Sequence, residues 1–188
     1  MSIPRPGAAP SSTDEPGYLV VFRVDASIGM GTGHLMRCLT LAHSLREKGL
    51  TSCFVCREQP GERSELIHQQ GFRCYLLPAL SQETSASTSP YQLATSWQQD
   101  VTETCQAIAD LHPLAFVIDH YGIDWRWEKS LSRAYPGTSL LVIDDLANRQ
   151  HHGSLLLDQT PNRTRAEYSG LLPEACVCWL GSSYALLR

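Results

Sequence analysis

Apolar residues recur along this chain in short runs of four to six, separated by longer stretches in which they fall on one side of a helical wheel. YLVVFR (18–23) has the length and β-branched content of a buried strand and is followed by glycines. His34 to Lys48 reads as a helix. Leu35, Leu39, Ala42 and Leu45 share one face, Arg46 and Lys48 suit the last turn, and Gly49 supplies the stop. SCFVC (52–56) predicts a second strand, Arg63 to Gln70 a short helix ending at Gly71, and CYLL (74–77) a third strand.

The Ser/Thr-rich stretch ALSQETSASTSP (79–90) interrupts this rhythm as a long loop, and long loops of this kind are mobile or functional. A helix is predicted from Tyr91 to Asp110 with Val101, Cys105 and Ile108 inward. AFVI (115–118), SLLVI (139–143), SLLL (154–157) and CVCWL (176–180) predict four more strands, with a helix over Trp125 to Ala134. Repeated β–α alternation predicts an α/β domain whose mostly parallel sheet is covered by helices on both faces, a Rossmann-like arrangement.

In an open parallel sheet the ligand crevice lies beyond the carboxyl ends of the strands, so residues just after each strand are the site candidates. Here they are polar: Asp25, then Asp119-His120-Tyr121-Gly122, Asp144-Asp145 and Asp158-Gln159. Four carboxylate-bearing strand ends are thus expected to converge on one rim. The segment DASIGMGTGHLMRC (25–38) adds a glycine turn, with Gly29, Gly31 and Gly33, and sets His34 at a helix start. Backbone N–H groups of such a turn can face a polar ligand, and the positive end of the helix dipole disfavours an imidazolium. His34 is therefore expected to be a neutral base near pH 7, suited to water activation. His43, His68 and His112 read as surface or half-buried residues, and His151-His152 as part of a solvated loop.

Competing chemistries fit less well. A dinucleotide fingerprint needs a glycine where Met36 or His34 stands, although Glu58 near the second strand's end leaves a ribose-binding acid in place. No Gly-Lys-Ser/Thr follows the turn, which excludes a P-loop. Clustered acids can bind Mg²⁺, but the corner lacks the lysine of phosphotransfer sites, and neither metal nor cofactor is expected.

Composition narrows the setting. The 188 residues are 43% hydrophobic and 18% charged, enough for one sizeable core, and the first 17 (MSIPRPGAAPSSTDEPG) read as a disordered leader. A formal charge of -4 with no basic run argues against a nucleic-acid partner. Without a secretory signal or a membrane-length apolar run, a cytoplasmic protein is expected. The seven cysteines suit that compartment, and the Cys53/Cys56 pair sits in strand-like sequence, where a small buried residue is a better reading than a redox or zinc pair.

The segments RVDASIGMGTGHLMRCLTLAHSL, FVIDHYGIDWRWE, LLVIDDLANRQHHGSLLLDQTPNRTRAEYSGLLP and LGSSYALLR, in this order, resemble the N-terminal half of the UDP-2,4-diacetamido-2,4,6-trideoxy-β-L-altropyranose hydrolases of pseudaminic acid biosynthesis, across residues 18–188. The resemblance implies the N-terminal domain of a two-domain, glycosyltransferase-B-type fold, and hydrolysis of a UDP-sugar to UDP and free sugar with inversion. By motif, His34 falls on the catalytic base, Gly31 and Gly33 on the glycine turn, and Asp25 and Arg37 on flanking positions. Asp119, His120 and Tyr121 are expected to face the sugar, with Asp145 counted among the substrate-side residues. A second Rossmann-like domain would follow YALLR and hold most uridine diphosphate contacts; with the chain ending at Arg188, that domain is expected to be absent. Two other readings stay open: a glycosyltransferase in which His34 activates an acceptor hydroxyl, and a non-catalytic sugar-binding remnant.

Overall fold

A computed structural model describes residues 18–25, 33–59, 61, 63–79 and 92–187. The expected leader, the glycines at 29 and 31, and nearly all of the 79–90 loop lie outside the described residues. Among the described residues, seven strands form one parallel sheet: β1 (Leu19–Val24), β2 (Thr51–Arg57), β3 (Arg73–Leu77), β4 (Ala115–Asp119), β5 (Ser139–Ile143), β6 (Leu155–Asp158) and β7 (Val177–Leu180). Their spatial order is β3-β2-β1-β4-β5-β6-β7. The chain winds outward from β1 to β3, returns to the other side of β1 and winds outward again, so the order reverses between β1 and β4. Such a reversal opens a crevice at the carboxyl ends of those two strands.

Each strand of the centre is buried on both faces, and the period of two along the backbone divides its side chains cleanly. Val20, Phe22 and Val24 pack under α1 (Gly33–Glu47) and α2 (Ser64–Gln69) with Leu35, Cys38, Leu39, Ala42 and Ile67. Val21 instead faces α3 (Trp97–Ala107) and α4 (Trp125–Ala134), against Val101, Ile108, Trp127 and Leu131. Cys53 and Cys56, three apart on β2, belong to these two opposite clusters, so their thiols cannot pair.

The predicted elements are all present, with shifted ends. The helix expected from Tyr91 starts at Trp97, because Ser96 is extended and its side chain accepts from the Gln99 N–H as an N-cap. Cys105, expected inward, is half-buried, and Asp100 and Thr104 turn to the core in its place. At the far edge, β7 exposes Val177, because no described helix covers that face. No helix among the described residues is long and apolar enough to cross a membrane.

Asp100 turns inward because the strand face it meets is charged. Arg23, fully buried on β1, donates to Asp100 (3.3 and 2.9 Å) and to Asp25. Arg57 at the end of β2 donates to Asp100 at 2.8 Å and to the Pro78 carbonyl at 3.0 Å, and the Trp127 indole N–H reaches Asp100 at 2.9 Å. α3 is thereby tied to β1, β2 and α4 through one carboxylate. Burial pushes that carboxyl up, but the charge and hydrogen bonds of Arg23, with a bond from Arg57, more than reverse the effect and hold it below the usual range.

Removing one partner from such a network leaves buried charge unpaired, so Asp100→Ala is expected to lose about 3–5 kcal/mol of stability in urea unfolding at pH 7. A depressed carboxylate contributes fully above its unfolded pKa of about 3.9 and loses its contribution as acid protonates the folded form. The gap between wild type and variant therefore narrows below about pH 4.

Candidate active site

α1 begins directly beyond the carboxyl end of β1, and its first turns place His34, Arg37 and Cys38 on one face, at i, i+3 and i+4. They meet the end of β4. Alternation there sends Val117 and Asp119 toward α1 and Ile118 and His120 to the opposite face. His34 Nδ1 lies 2.5 Å from Asp119 Oδ1. Arg37 donates to both oxygens of the same carboxylate, from Nε and Nη2 at 2.6 Å each, and from Nη1 to Asp145 Oδ2 at 3.0 Å. The Cys38 thiol adds a contact of 3.5 Å to Asp119.

Asp119 is fully buried, and burial alone would raise its pKa; the bonds from Arg37 and His34 outweigh that and hold it below the ordinary carboxylate range. An ionised carboxylate has only lone pairs to offer, so the proton between it and the imidazole sits on Nδ1. This leaves the Nε2 lone pair as the ring's basic position. His34 is 7% exposed, yet its surroundings are polar and aromatic. Tyr121 stands edge-on to it, with ring centroids 4.5 Å apart at 87°. Burial, followed by a hydrogen bond with Asp145, pushes the Tyr121 hydroxyl up, so it stays protonated.

The other predicted residues divide between two places. Asp25 and His120 lie on the opposite face of the sheet. Asp25 accepts from Arg23, from the Arg57 backbone N–H at 2.8 Å and from Gln59 at 3.4 Å, with His120 Nε2 3.2 Å away. Burial would raise this carboxyl too, but the Arg23 charge and the His120 bond hold it well down. His120 Nδ1 accepts the Gly122 N–H at 2.9 Å, which fixes its tautomer and ties the turn after β4 to the end of β1. Gly33 opens α1 with space around it, and Gly31 lies outside the described residues.

The expected convergence of four strand-end acids is therefore only partial. Asp144 accepts from Arg149 at 2.6 Å and from the Ala147 N–H at 2.9 Å, and Asp158 accepts from Arg163 at 2.5 Å. The single proton of the Tyr168 hydroxyl, 2.9 Å from Asp144 and 2.8 Å from Asp158, bridges the two. Both carboxylates are used in bracing the loops after β5 and β6. Asp119 and Asp145 alone of these acids join His34. No group of three His, Cys, Asp or Glu side chains among the described residues is placed to hold a metal ion.

No family model matches the chain. It is 31% identical over 169 residues to the UDP-2,4-diacetamido-2,4,6-trideoxy-β-L-altropyranose hydrolase of Campylobacter jejuni, across 90% of this chain and 52% of that protein. The chain is similar to that hydrolase. It spans about half of the relative's length. Among solved structures, the MurG protein of Acinetobacter baumannii matches 79% of this chain and 43% of its own at a TM-score of 0.51 and 14% identity, a likeness of fold. The domain thus has the Rossmann-like architecture of one half of a glycosyltransferase-B-type fold.

Gly122 has no room for a side chain: a Cβ there would stand 2.4 Å from the Leu93 nitrogen and 2.8 Å from the Gln92 carbonyl carbon. Gly122→Ala must push the segment leading into α3 off the Tyr121 turn. The expected cost is about 1–3 kcal/mol in chemical denaturation, and a variant as stable as wild type would contradict this packing.

Proposed function

We propose that this domain supplies the water-activating half of an enzyme that hydrolyses a UDP-linked 2,4-diacetamido-2,4,6-trideoxy sugar to UDP and free sugar, with inversion, in pseudaminic acid biosynthesis. The carrying observation is the Asp119–His34 pair, 2.5 Å apart beside the sheet's switch point. Similarity to the altropyranose hydrolase supplies the substrate class.

The chemistry asks little more of this half. Glycosidases usually need an acid as well as a base because a leaving alcoholate must be protonated. UDP departs as a stable anion, so a single base is enough. His34 takes a proton from water through Nε2, while Asp119 holds Nδ1–H and fixes the ring's tautomer and orientation. Tyr121 and Asp145 stand on the sugar side of the ring. Gly31 and Gly33 are assigned to the turn facing the ligand, and the uridine diphosphate contacts to the part of the relative's length that this chain does not cover. On this reading the protein works in the cytoplasm of a bacterium, upstream of a nonulosonic sugar placed on flagellin.

The likeness to MurG favours a second reading, transfer to an acceptor hydroxyl by the same base. Both are tested by measuring UDP release without acceptor from the polypeptide as its gene encodes it. Wild type is expected to release UDP, and His34→Asn to be slower by about 10²–10⁴-fold. Release that appears only with an acceptor selects transfer, and undiminished release by His34→Asn eliminates the base.

A further inference from the structure

We propose that Arg37 is a positioning residue that keeps His34 in the neutral form a base requires, by cancelling the charge of Asp119. The inference rests on the reading of His34 as base, and its first test is independent of substrate.

A carboxylate this close to an imidazole orients the ring, but it also favours the imidazolium, and an opposite charge at such range typically shifts a titration by about 1–3 units. Left alone, Asp119 would load His34 with the proton it has to collect from water. Arg37 prevents this by geometry. Its guanidinium cannot lose its charge, spans both Asp119 oxygens, and brings Nη2 to 3.1 Å from His34 Nδ1. A proton arriving on the ring meets that cation, 3.1 Å from Nδ1, as well as the carboxylate at 2.5 Å.

The remaining neighbours leave this balance standing. Asp145 bonds Nη1, the guanidinium nitrogen turned away from His34, and its side chain is 28% exposed, so water screens its charge. It also anchors the guanidinium against swinging out. Cys38 is kept neutral, since burial and the Asp119 charge raise its thiol well above the ordinary range, and Tyr121 is likewise neutral. The N-terminus of α1, a 15-residue helix, adds its partial positive charge on the same side. Arg37 thus faces the Asp119–His34 pair through Nε and Nη2 while Asp145 holds Nη1, and its motif position reads as electrostatic support for the base.

The test follows the His34 ring by NMR of histidine-labelled protein, with its signal assigned by loss in His34→Asn. Arg37→Gln is expected to move the pH at which the ring takes up its proton upward by about 1–3 units, and Arg37→Lys by clearly less. Asp119→Asn, which leaves the arginine unopposed, is expected to move it downward. In the UDP-release assay Arg37→Gln then loses about tenfold at pH 7 for each unit by which the ring's midpoint passes 7, and recovers at higher pH; a purely structural defect would not recover. A ring titration unmoved in folded Arg37→Gln and Asp119→Asn protein overturns the proposal. A shifted titration with no UDP release in wild type instead upholds the charge balance and removes the hydrolase reading.

Discussion

A fully buried carboxylate at the end of β4 is the constraint around which this site is built. Asp119 cannot remain ionised there without donors, and the first turns of α1 supply them from Arg37, His34 and Cys38. Pairing sets the rotation of α1 over the sheet, since three side chains on one helix face must reach one carboxyl group. It also sets the imidazole's tautomer. The same contact that satisfies the buried charge therefore leaves a basic nitrogen beside the crevice.

A second buried network mirrors the first across the sheet. On the face of α3 and α4, Arg23, Arg57, Asp25, Asp100 and Trp127 are linked by hydrogen bonds. The two sets meet at consecutive residues. Asp119 points to one face and His120 to the other, and His120 joins Asp25 to the turn carrying Tyr121 and Gly122. Bracing at the end of β1 thus reaches the aromatic ring packed on His34 without any shared side chain. Since a buried ion pair tolerates little displacement before its desolvation cost is exposed, both networks favour one fixed geometry over several loose ones.

Much of this was legible in the chain. The seven apolar runs became seven parallel strands, and the residues following them proved to be the polar ones at the carboxyl rim. Similarity to a UDP-sugar hydrolase, read from GTGH, DHYG and IDD, agrees with the 31% identity over 169 residues to such a hydrolase. The first turn of α1 was equally visible, because His34, Arg37 and Cys38 follow helical spacing. Arg37 read as a flanking position of the glycine motif, and in the structure its three nitrogens bond Asp119 and Asp145. Nothing local distinguishes an arginine that awaits an anion from one already matched by carboxylates 82 and 108 residues away.

Sequence by itself determined the elements, the mostly parallel character of the sheet and the chemical character of the rim, because periodicity, β–α alternation and strand-end polarity can be read along the chain. Which of the acids face the imidazole was decided only by the tertiary structure. Asp25, Asp119, Asp144 and Asp158 are alike in sequence, each at or just beyond a strand end. Their roles differ because a strand's pleat assigns a face, and because packing gives each a different arginine: Arg23 for Asp25, Arg37 for Asp119, Arg149 for Asp144 and Arg163 for Asp158. A buried charge takes its function from the partner that packing brings to it.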